Sequence, residues 1–362
     1  MVELVVAASC TSCGSTDVRD KKRYDRSVRT LDGVKTFVVI QHECRHCKKA
    51  FTDVVKGAKH GAQIADEVKE RAVNIYMDGP VDLEGVRKAM WKFGVCISAS
   101  SIWYAVNGLG KLATVALDRI LEYVEPSGFA CVDEKFVSIR GRKRPQLFVI
   151  DPVTGVLLPQ KLLRNREEPT MTRVTGRLNR MGVGVVITDD LKSYAPSIKN
   201  AGLRHVKCYF HAKHTFHKRL KRAHIQKRRK EKFIKWCDRF LGSKDMDEAK
   251  KWRRVLGKIK DKKLQRFMKS FLFDWRDYFA YQEFKGCPKT SNAVEQYNRR
   301  YEQKRQTMHG LRKERTAMAF NALFALHSMF RKFEEGVHKG LSPLEIAGVQ
   351  LGCTEVFDFL RE

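Results

Sequence analysis

Three acidic residues stand in contexts that suit phosphoryl-transfer chemistry. Asp133 lies within FACVDEKFVSI, Asp189 closes the apolar run VGVVITDD, and Glu295 lies in the helical pattern TSNAVEQYNRRYEQKR. Divalent cations such as Mg²⁺ prefer carboxylate oxygens, and two ions about 3.5 to 4 Å apart activate a nucleophile and stabilise a leaving oxygen. Because the chain has 41 Asp and Glu residues, the three matter only if the fold brings them together.

Short β-rich runs after residue 128 predict the elements that would hold these carboxylates. The runs 129–139, 145–151 and 155–163 predict a three-stranded antiparallel meander, because basic or turn-forming residues separate them. A helix over 170–180, a buried strand VGVVIT, a short helix over 191–200 and a strand RHVKCYF follow. The predicted order is βββαβαβ, with Asp133 on the first strand, Asp189 just after the fourth, and Glu295 on a later helix.

The two spacings between the acids differ in a way that predicts an insertion. Asp133 and Asp189 are 56 residues apart, whereas Asp189 and Glu295 are 106 apart. Apolar residues recur at helical spacing in FIKWCDRFLG, DEAKKWRRVLGKIK and LQRFMKSFLFDWRDYFAYQEF. We therefore expect an all-α domain over 212–286, inserted between two parts of an α/β core.

Two CxxC pairs near the start of the chain predict a zinc site. Cys10 and Cys13 form the first pair, and Cys44 and Cys47 the second. Four thiolates satisfy the tetrahedral preference of zinc and stabilise a segment too small for its own core. A redox dithiol, or two unrelated pairs, is the alternative. His42 and His46 are alternative ligands, but we expect both on the surface of the knuckles, within reach of phosphate.

Helical patterns over 62–113 follow, broken at 78–80 and 94–95. Three short helices with tight turns resemble a helix-turn-helix, with a plain three-helix spacer as the alternative. The third helix would begin at 98–101, and Ser98, Ser100 and Ser101 would face DNA bases. Trp91 and Trp103 lie on apolar faces and are predicted to be core residues.

Charge indicates a polyanionic partner. Lys and Arg number 71, which gives a formal net charge of +30, and nucleic acid is the leading candidate for the partner. Basic residues predicted to contact phosphate lie beside the two later acids: Lys213, Lys218, Arg219, Arg299 and Arg300. No run is long and apolar enough for a membrane span, and the beginning lacks signal-peptide features. We expect a cytoplasmic, nucleoid-associated protein.

Three short motifs carry a resemblance to a known family. They are Thr188-Asp189-x4-Tyr194, Cys208-x2-His211 and Asn292-x2-Glu295. Together with the element order and the insertion, they resemble the DDE-type transposases of prokaryotic insertion sequences, and in particular the Mutator-like superfamily.

The resemblance implies an RNase H-like core in which Asp133, Asp189 and Glu295 hold two Mg²⁺ (or Mn²⁺) ions. It implies binding of double-stranded DNA at terminal inverted repeats, followed by cleavage and strand transfer into target DNA within a homo-oligomeric synaptic complex. Cys208, His211 and Asn292 would support the active site. A non-catalytic DNA-binding regulator and an RNase H-like nuclease or resolvase are the alternatives.

Several residues have competing interpretations. Asp190 adjoins Asp189, and we expect it to cap the next helix. Glu134 must point to the opposite face of its strand from Asp133, as a surface or salt-bridging residue. Asn292 and Glu295 also fit a capping box, which would explain Glu295 without chemistry.

The series Cys208, His211, His214 and His217 invites a second zinc site. A spacing of three would fan four side chains around a helix, so we do not expect all four to converge.

The sequence therefore predicts an α/β protein with an RNase H-like core (βββαβαβ-α), an all-α insertion, a zinc ribbon and an all-α helix-turn-helix. The predicted divisions are the ribbon at 1–58, the helix-turn-helix at 59–125, the core at 126–211 and 287–335, the insertion at 212–286, and the tail at 336–362.

Overall fold

A five-stranded mixed sheet flanked by helices forms the centre of the computed structural model, which describes residues 2–189, 191, 193–308 and 310–361. The protein is a mixed α/β protein, as predicted. Within these residues, none of the helices is long and apolar enough to cross a bilayer.

The N-terminal segment is built on a long antiparallel hairpin. The strands are β1 (Glu3–Val5), β2 (Val18–Thr30), β3 (Gly33–Cys44), β4 (Ala50–Thr52) and β5 (Val54–Lys56). β2 pairs with β3 and β3 with β4, while β1 pairs with β5. Gly33 has φ +112° at the hairpin turn, a conformation that glycine adopts without steric cost.

Three helices follow, with the breaks close to those predicted. They are α1 (Asp66–Asp78), α2 (Leu83–Lys92) and α3 (Ala99–Glu122). Asp82 and Ser98 accept hydrogen bonds from backbone amides of the first turns that follow them, which fixes the starts of α2 and α3. α3 extends nine residues past the predicted limit at 113 because its apolar second half packs along α11 (Glu314–Phe330).

The central sheet has the strand order β10-β9-β6-β7-β8. The members are β6 (Phe129–Ile139), β7 (Arg142–Ile150), β8 (Lys161–Leu162), β9 (Val185–Thr188) and β10 (Arg204–Lys207). β6, β7 and β8 pair antiparallel in sequence, whereas β9 lies parallel to both β6 and β10. The crossovers that parallel pairing requires are α4 (Glu168–Arg180) and α5 (Tyr194–Asn200).

A second hydrophobic core lies among the helices that come between β10 and α10 (Asn292–Gln306) along the chain. Its elements are α6 (Tyr209–Arg222), α7 (Lys227–Leu241), α8 (Met246–Gly257), α9 (Lys262–Phe273) and the 3₁₀ turns Trp275–Tyr278 and Ala280–Glu283. Aromatic rings dominate this core, with Phe240 contacting Phe271, Trp275 and Phe279. The predicted insertion thus has its own core, although its first helix begins at Tyr209 rather than 212.

α10 connects the sheet to the N-terminal helices. Lys304 is buried on α10, and its ammonium donates a 2.6 Å hydrogen bond to the carbonyl of Val81. The same ammonium lies over the ring of Tyr76. α11 and the short helices α12 (Pro343–Ile346) and α13 (Val356–Phe359) complete the fold. Because buried charges require compensating acceptors, Lys304 ties α10 to the turn between α1 and α2.

Two expectations about single side chains are wrong. Trp91 is 65% exposed, because α2 turns that side chain away from the core. His42 is buried rather than on the surface: its two ring nitrogens each lie 3.0 Å from a carboxylate, of Asp20 and of Asp53. His46 is exposed, as expected.

Candidate active site and metal centre

Asp133 lies in the middle of β6 and points toward α10. The side-chain amide of Asn298 donates a 2.6 Å hydrogen bond to its Oδ2, and the backbone amide of Glu134 donates 2.8 Å to Oδ1. The ammonium of Lys135 lies 3.6 Å from Oδ2 of Asp133. Asn298 was not predicted from the sequence, and its position one helical turn after Glu295 is the signal that could have identified it.

Asp189 follows the carboxyl end of β9, next to Asp133. The parallel register pairs Cys131 with Ile187, and each acid lies two residues beyond that pair. Neighbouring strands are about 4.8 Å apart, so the backbones at the two acids lie side by side. Leu191 donates a backbone hydrogen bond of 3.1 Å to Asp189 Oδ1. Asp190 lies outside the described residues.

The electrostatics of Asp189 reflect this crowding. Burial, followed by the negative charges of Glu134 and Asp133, raises the pKa of Asp189 to about 6. A carboxyl group in this situation repels a further negative charge and binds cations strongly. Negative charge is therefore concentrated at this end of β9.

Glu134 points to the opposite face from Asp133, as the strand alternation requires, but it is not a surface residue. Its side chain is only 5% exposed and pairs with Arg166 at 3.1 Å. The hydroxyl of Tyr194 on α5 donates 2.5 Å to its Oε2. The tyrosine of the motif around Asp189 therefore holds a carboxylate that acts electrostatically on Asp189. The sequence did not predict this role, because the residues of β6 do not indicate which helix covers Glu134.

Glu295 lies in the first turn of α10 and is not part of the capping box that the sequence allows. Ser291 is the N-cap residue, and its hydroxyl donates 3.0 Å to Glu295 Oε1. Asn292 is exposed at the start of the helix. The capping interpretation is wrong for Glu295, whose carboxylate instead faces His211, with 3.7 Å from Oε1 to Nδ1.

A cluster of Cys208, His211 and Glu295 forms where α6 and α10 begin. One potential ligand atom from each lies within 4.8 Å of the others. A hydrogen bond with Cys208 raises the pKa of His211 to about 9. Although burial opposes it, hydrogen bonds from His211 and Ser291 lower the pKa of Cys208. The pair therefore favours the imidazolium, a positive charge beside Glu295.

As expected from the spacing of three, the four residues of the Cys208 series do not converge on one site among the described residues. Among the described residues, the group around Glu295 includes neither His214 nor His217. His214 stacks on Phe210, which agrees with the expected fanning around the helix. Nor do Asp133 and Asp189 lie in a group with Glu295 within that distance, among the same described residues. Like charges repel, and a separate donor holds each carboxylate in place.

Residues predicted to contact DNA occupy different environments. Ser98 caps α3, and Ser100 and Ser101 lie in its first turn. Lys213 is paired with Asp238 at 2.9 Å. Lys218, Arg219 and Arg299 are exposed. Arg300 is partly buried and faces α11, where its guanidinium donates a 3.3 Å hydrogen bond to the hydroxyl of Ser328.

Four cysteines form the second candidate site. Cys10, Cys13, Cys44 and Cys47 place their sulfurs within 4.8 Å of one another, and the pairs Cys10–Cys47 and Cys13–Cys44 are both 3.6 Å apart. Thiolates bound to one zinc at about 2.3 Å lie about 3.8 Å apart at the corners of a tetrahedron. The spacing and the donor set both fit a metal such as zinc.

The two turns that carry these cysteines have matching backbone geometry. Gly14 and Lys48, each directly after the second cysteine of a pair, have φ of +75° and +62°. Each donates a 2.9 Å backbone hydrogen bond to the carbonyl of the first cysteine. Amides of Ser12 and Cys47 point at the sulfurs of Cys10 and Cys44, and such donors favour the thiolate that a metal requires.

We compared the sequence with models of known protein families and with curated proteins. Neither comparison gives a match.

Proposed function

We propose that this chain is a DNA transposase that binds terminal inverted repeats and catalyses Mg²⁺-dependent DNA cleavage and strand transfer. The observation that carries the proposal is the position of Asp133 on β6 and of Asp189 just past the end of the adjacent parallel strand β9, with α10 packed on β6 and β7. Burial, followed by the charges of Glu134 and Asp133, raises the pKa of Asp189, and these neighbouring negative charges favour a cation at this point.

The strand order supports assignment of the core to the RNase H-like fold. Three antiparallel strands are followed by two parallel strands on the side of the first, in the order β10-β9-β6-β7-β8. The resemblance to DDE transposases implies the chain order βββαβαβ, with which this sheet agrees. The four-cysteine cluster on a β-hairpin supports a zinc ribbon, and the capped start of α3 supports a helix-turn-helix.

Asp133, Asp189 and Glu295 are the residues that would hold the divalent ions. When bound, the ions would lower the pKa of the attacking water or 3′-hydroxyl and neutralise charge on the phosphate. The protein itself positions the carboxylates: Asn298 fixes Asp133, Leu191 fixes Asp189, and Ser291 fixes Glu295. Catalysis of this kind depends on position and charge more than on covalent chemistry.

His211 would act beside Glu295 in the reaction. As an imidazolium 3.7 Å from Glu295, it holds that carboxylate and presents positive charge to a nearby phosphate. Cys208 maintains this charge state by accepting the hydrogen bond of His211. This assigns a physical role to the Cys208-x2-His211 motif.

Incubation of the purified protein with Mg²⁺, a labelled duplex carrying the repeats that flank its gene, and a target plasmid tests the proposal. Asp133→Asn and Glu295→Gln should reduce joined product by roughly 100-fold or more while DNA binding is kept. Glu302→Gln, on the same helix but paired with Arg305, is the matched control and should retain activity.

Two outcomes would contradict the proposal. Binding of the repeats without cleavage by the unaltered protein would favour a regulator. Cleavage without joining, with no dependence on the repeats, would favour a nuclease.

A further inference from the structure

A strongly basic surface lies apart from the carboxylate site, where three separate segments of the chain meet. We name it the hairpin surface. It consists of one residue on α3, one in the turn between β6 and β7, two at the start of β7, and three just before or at the start of α11: Lys111, Arg140, Arg142, Lys143, Arg312, Lys313 and Arg315. All seven are exposed.

The three segments are connected by specific contacts. Ile139 forms a parallel bridge with Leu311, and the backbone amide of Arg140 donates 3.0 Å to the carbonyl of Leu311. The guanidinium of Arg140 also donates 3.0 Å to the carbonyl of Arg312. These contacts hold the turn between β6 and β7 against the chain that leads into α11. The positive charges therefore occupy one fixed surface.

α3 completes the surface and creates a cleft. A hollow of about 460 Å³ lies between α3 and the start of α11, and its lining includes Trp103, Tyr104 and Lys111 from the helix. Tyr104 is 77% exposed. Exposed tyrosine and lysine side chains commonly contact sugar and phosphate in nucleic-acid complexes.

Charge balance at the hairpin surface points to an anionic ligand. Within the described part of the chain, no carboxylate forms an ion pair with Lys111, Arg312 or Lys313. The one acid in the segment, Glu314, lies 3.5 Å from Arg144. The cations are therefore free to neutralise an external polyanion.

The cations at the start of α11 also oppose the local preference of the helix. The N-terminal end of a helix carries partial positive charge, so Lys313 and Arg315 at this end are unfavourable for the fold alone. A local conflict of this kind is expected at functional positions. Their placement therefore favours a role in binding.

From these observations we propose that the hairpin surface binds the phosphate backbone of double-stranded DNA outside the carboxylate site. Asp133 and Arg140 are seven residues apart along β6, which corresponds to about 23 Å at roughly 3.3 Å per residue. DNA has one phosphate per strand about every 3.4 Å. The contacts would therefore lie about seven base pairs from the phosphate held at Asp133. This distance rests on the proposed function, whereas the DNA contact does not.

The test measures binding of a fluorescently labelled duplex of random sequence by anisotropy, between about 50 and 200 mM salt. Arg312→Ala, Lys313→Ala and Arg315→Ala, combined in the full chain, should weaken binding roughly tenfold or more. The slope of log affinity against log salt should decrease by about two to three units, at about 0.9 per lost phosphate contact. A second variant, Arg142→Ser with Lys143→Ser, should decrease the slope by about two units for the same reason.

The matched control removes the same charge from the exposed face of α8 and its C-cap, with Lys251→Ala, Arg254→Ala and Lys258→Ala. This control should change the affinity and the salt slope much less than the triple variant of the hairpin surface does. Unchanged binding in both surface variants would overturn the inference, as would an equal loss in the control. Circular dichroism melting of each variant verifies that it is folded.

Footprinting with hydroxyl radicals separates this inference from the proposed function. The triple variant should lose protection about seven base pairs from the cleavage position, at the spacing derived from β6. If the unaltered protein binds but does not cleave, the proposed function fails, and the affinity and salt measurements still decide the inference.

Discussion

The hydroxyl of Tyr194 donates a 2.5 Å hydrogen bond to Oε2 of Glu134, and this contact connects α5 to the strand that carries Asp133. Tyr194 is fully buried, and Glu134 has one charged partner among the described residues, Arg166. The motif around Asp189 thus contains a residue that stabilises the neighbouring carboxylate. Its contribution is structural and electrostatic at once.

Replacement of Tyr194 by Phe should remove this hydrogen bond and leave a buried carboxylate oxygen without its donor. Hydrogen bonds to charged groups contribute about 1.5 to 3 kcal/mol, so the free energy of unfolding should fall by about that amount. Urea denaturation measures the change. Tyr123→Phe is the control, because Tyr123 is 69% exposed. Equal stability of the Tyr194 and Tyr123 variants would contradict the prediction.

Asp189 should make stability depend on pH between about 4 and 6. Burial and the charge of Glu134 raise its pKa from 3.8 to about 6 in the folded protein, so the unfolded chain ionises first. The protonated acid contributes fully to the free energy of unfolding below the pKa of the unfolded chain. This contribution is lost as pH rises through the pKa of the folded protein. At pH 7, Asp189→Asn should therefore increase the free energy of unfolding by at most about 3 kcal/mol.

The measurement is denaturation of both proteins in chelator at several pH values. The gain from Asp189→Asn should shrink toward pH 4, where the native acid is protonated. Asp118→Asn, at a site with 71% side-chain exposure, should show no such change. Added Mg²⁺ should stabilise the unaltered protein and not the Asp189 variant. A difference that is constant with pH would refute the assignment.

Metal analysis tests the four-cysteine site. The purified protein should contain one zinc ion per chain, since four thiolates satisfy its tetrahedral coordination. Cys44→Ser should abolish zinc binding and make the first 58 residues sensitive to protease, because metal binding contributes folding energy. Cys96→Ser is the control, as Cys96 is exposed and lies outside the cluster. Retention of stoichiometric zinc by the Cys44 variant would disprove the site.

Two glycines on α3 provide a matched test of its packing against α11. A Cβ atom at Gly110 would lie 2.6 Å from the carbonyl oxygen of Ala319, whereas one at Gly108 would meet nothing within 4 Å. Gly110→Ala should lower the free energy of unfolding by about 1 to 3 kcal/mol through overpacking. Gly108→Ala should raise it by up to about 1 kcal/mol through helix propensity. Thermal denaturation compares the two, and similar effects would contradict the close approach of the helices.

Much of the arrangement followed from local patterns in the chain. The CxxC pairs, the strand run from 129 to 163 and the helices around 66–92 correspond to elements of the structure. Apolar periodicity and turn residues record how each segment folds and which face it buries. They do not record which distant element covers that face, and this explains the errors at Trp91 and His42.

The sequence by itself determined that Asp133 lies on the first strand of the core and Asp189 just after the fourth, because β-rich runs and turn residues mark each element. The tertiary structure decided that these two strands are parallel neighbours. Only the tertiary structure decided that Glu295 faces His211 instead of capping its own helix, that Tyr194 covers Glu134, and that cations from three segments share one surface. The physical reason is that local chemistry is written in consecutive residues, whereas contacts between distant segments depend on how packed elements approach one another in space.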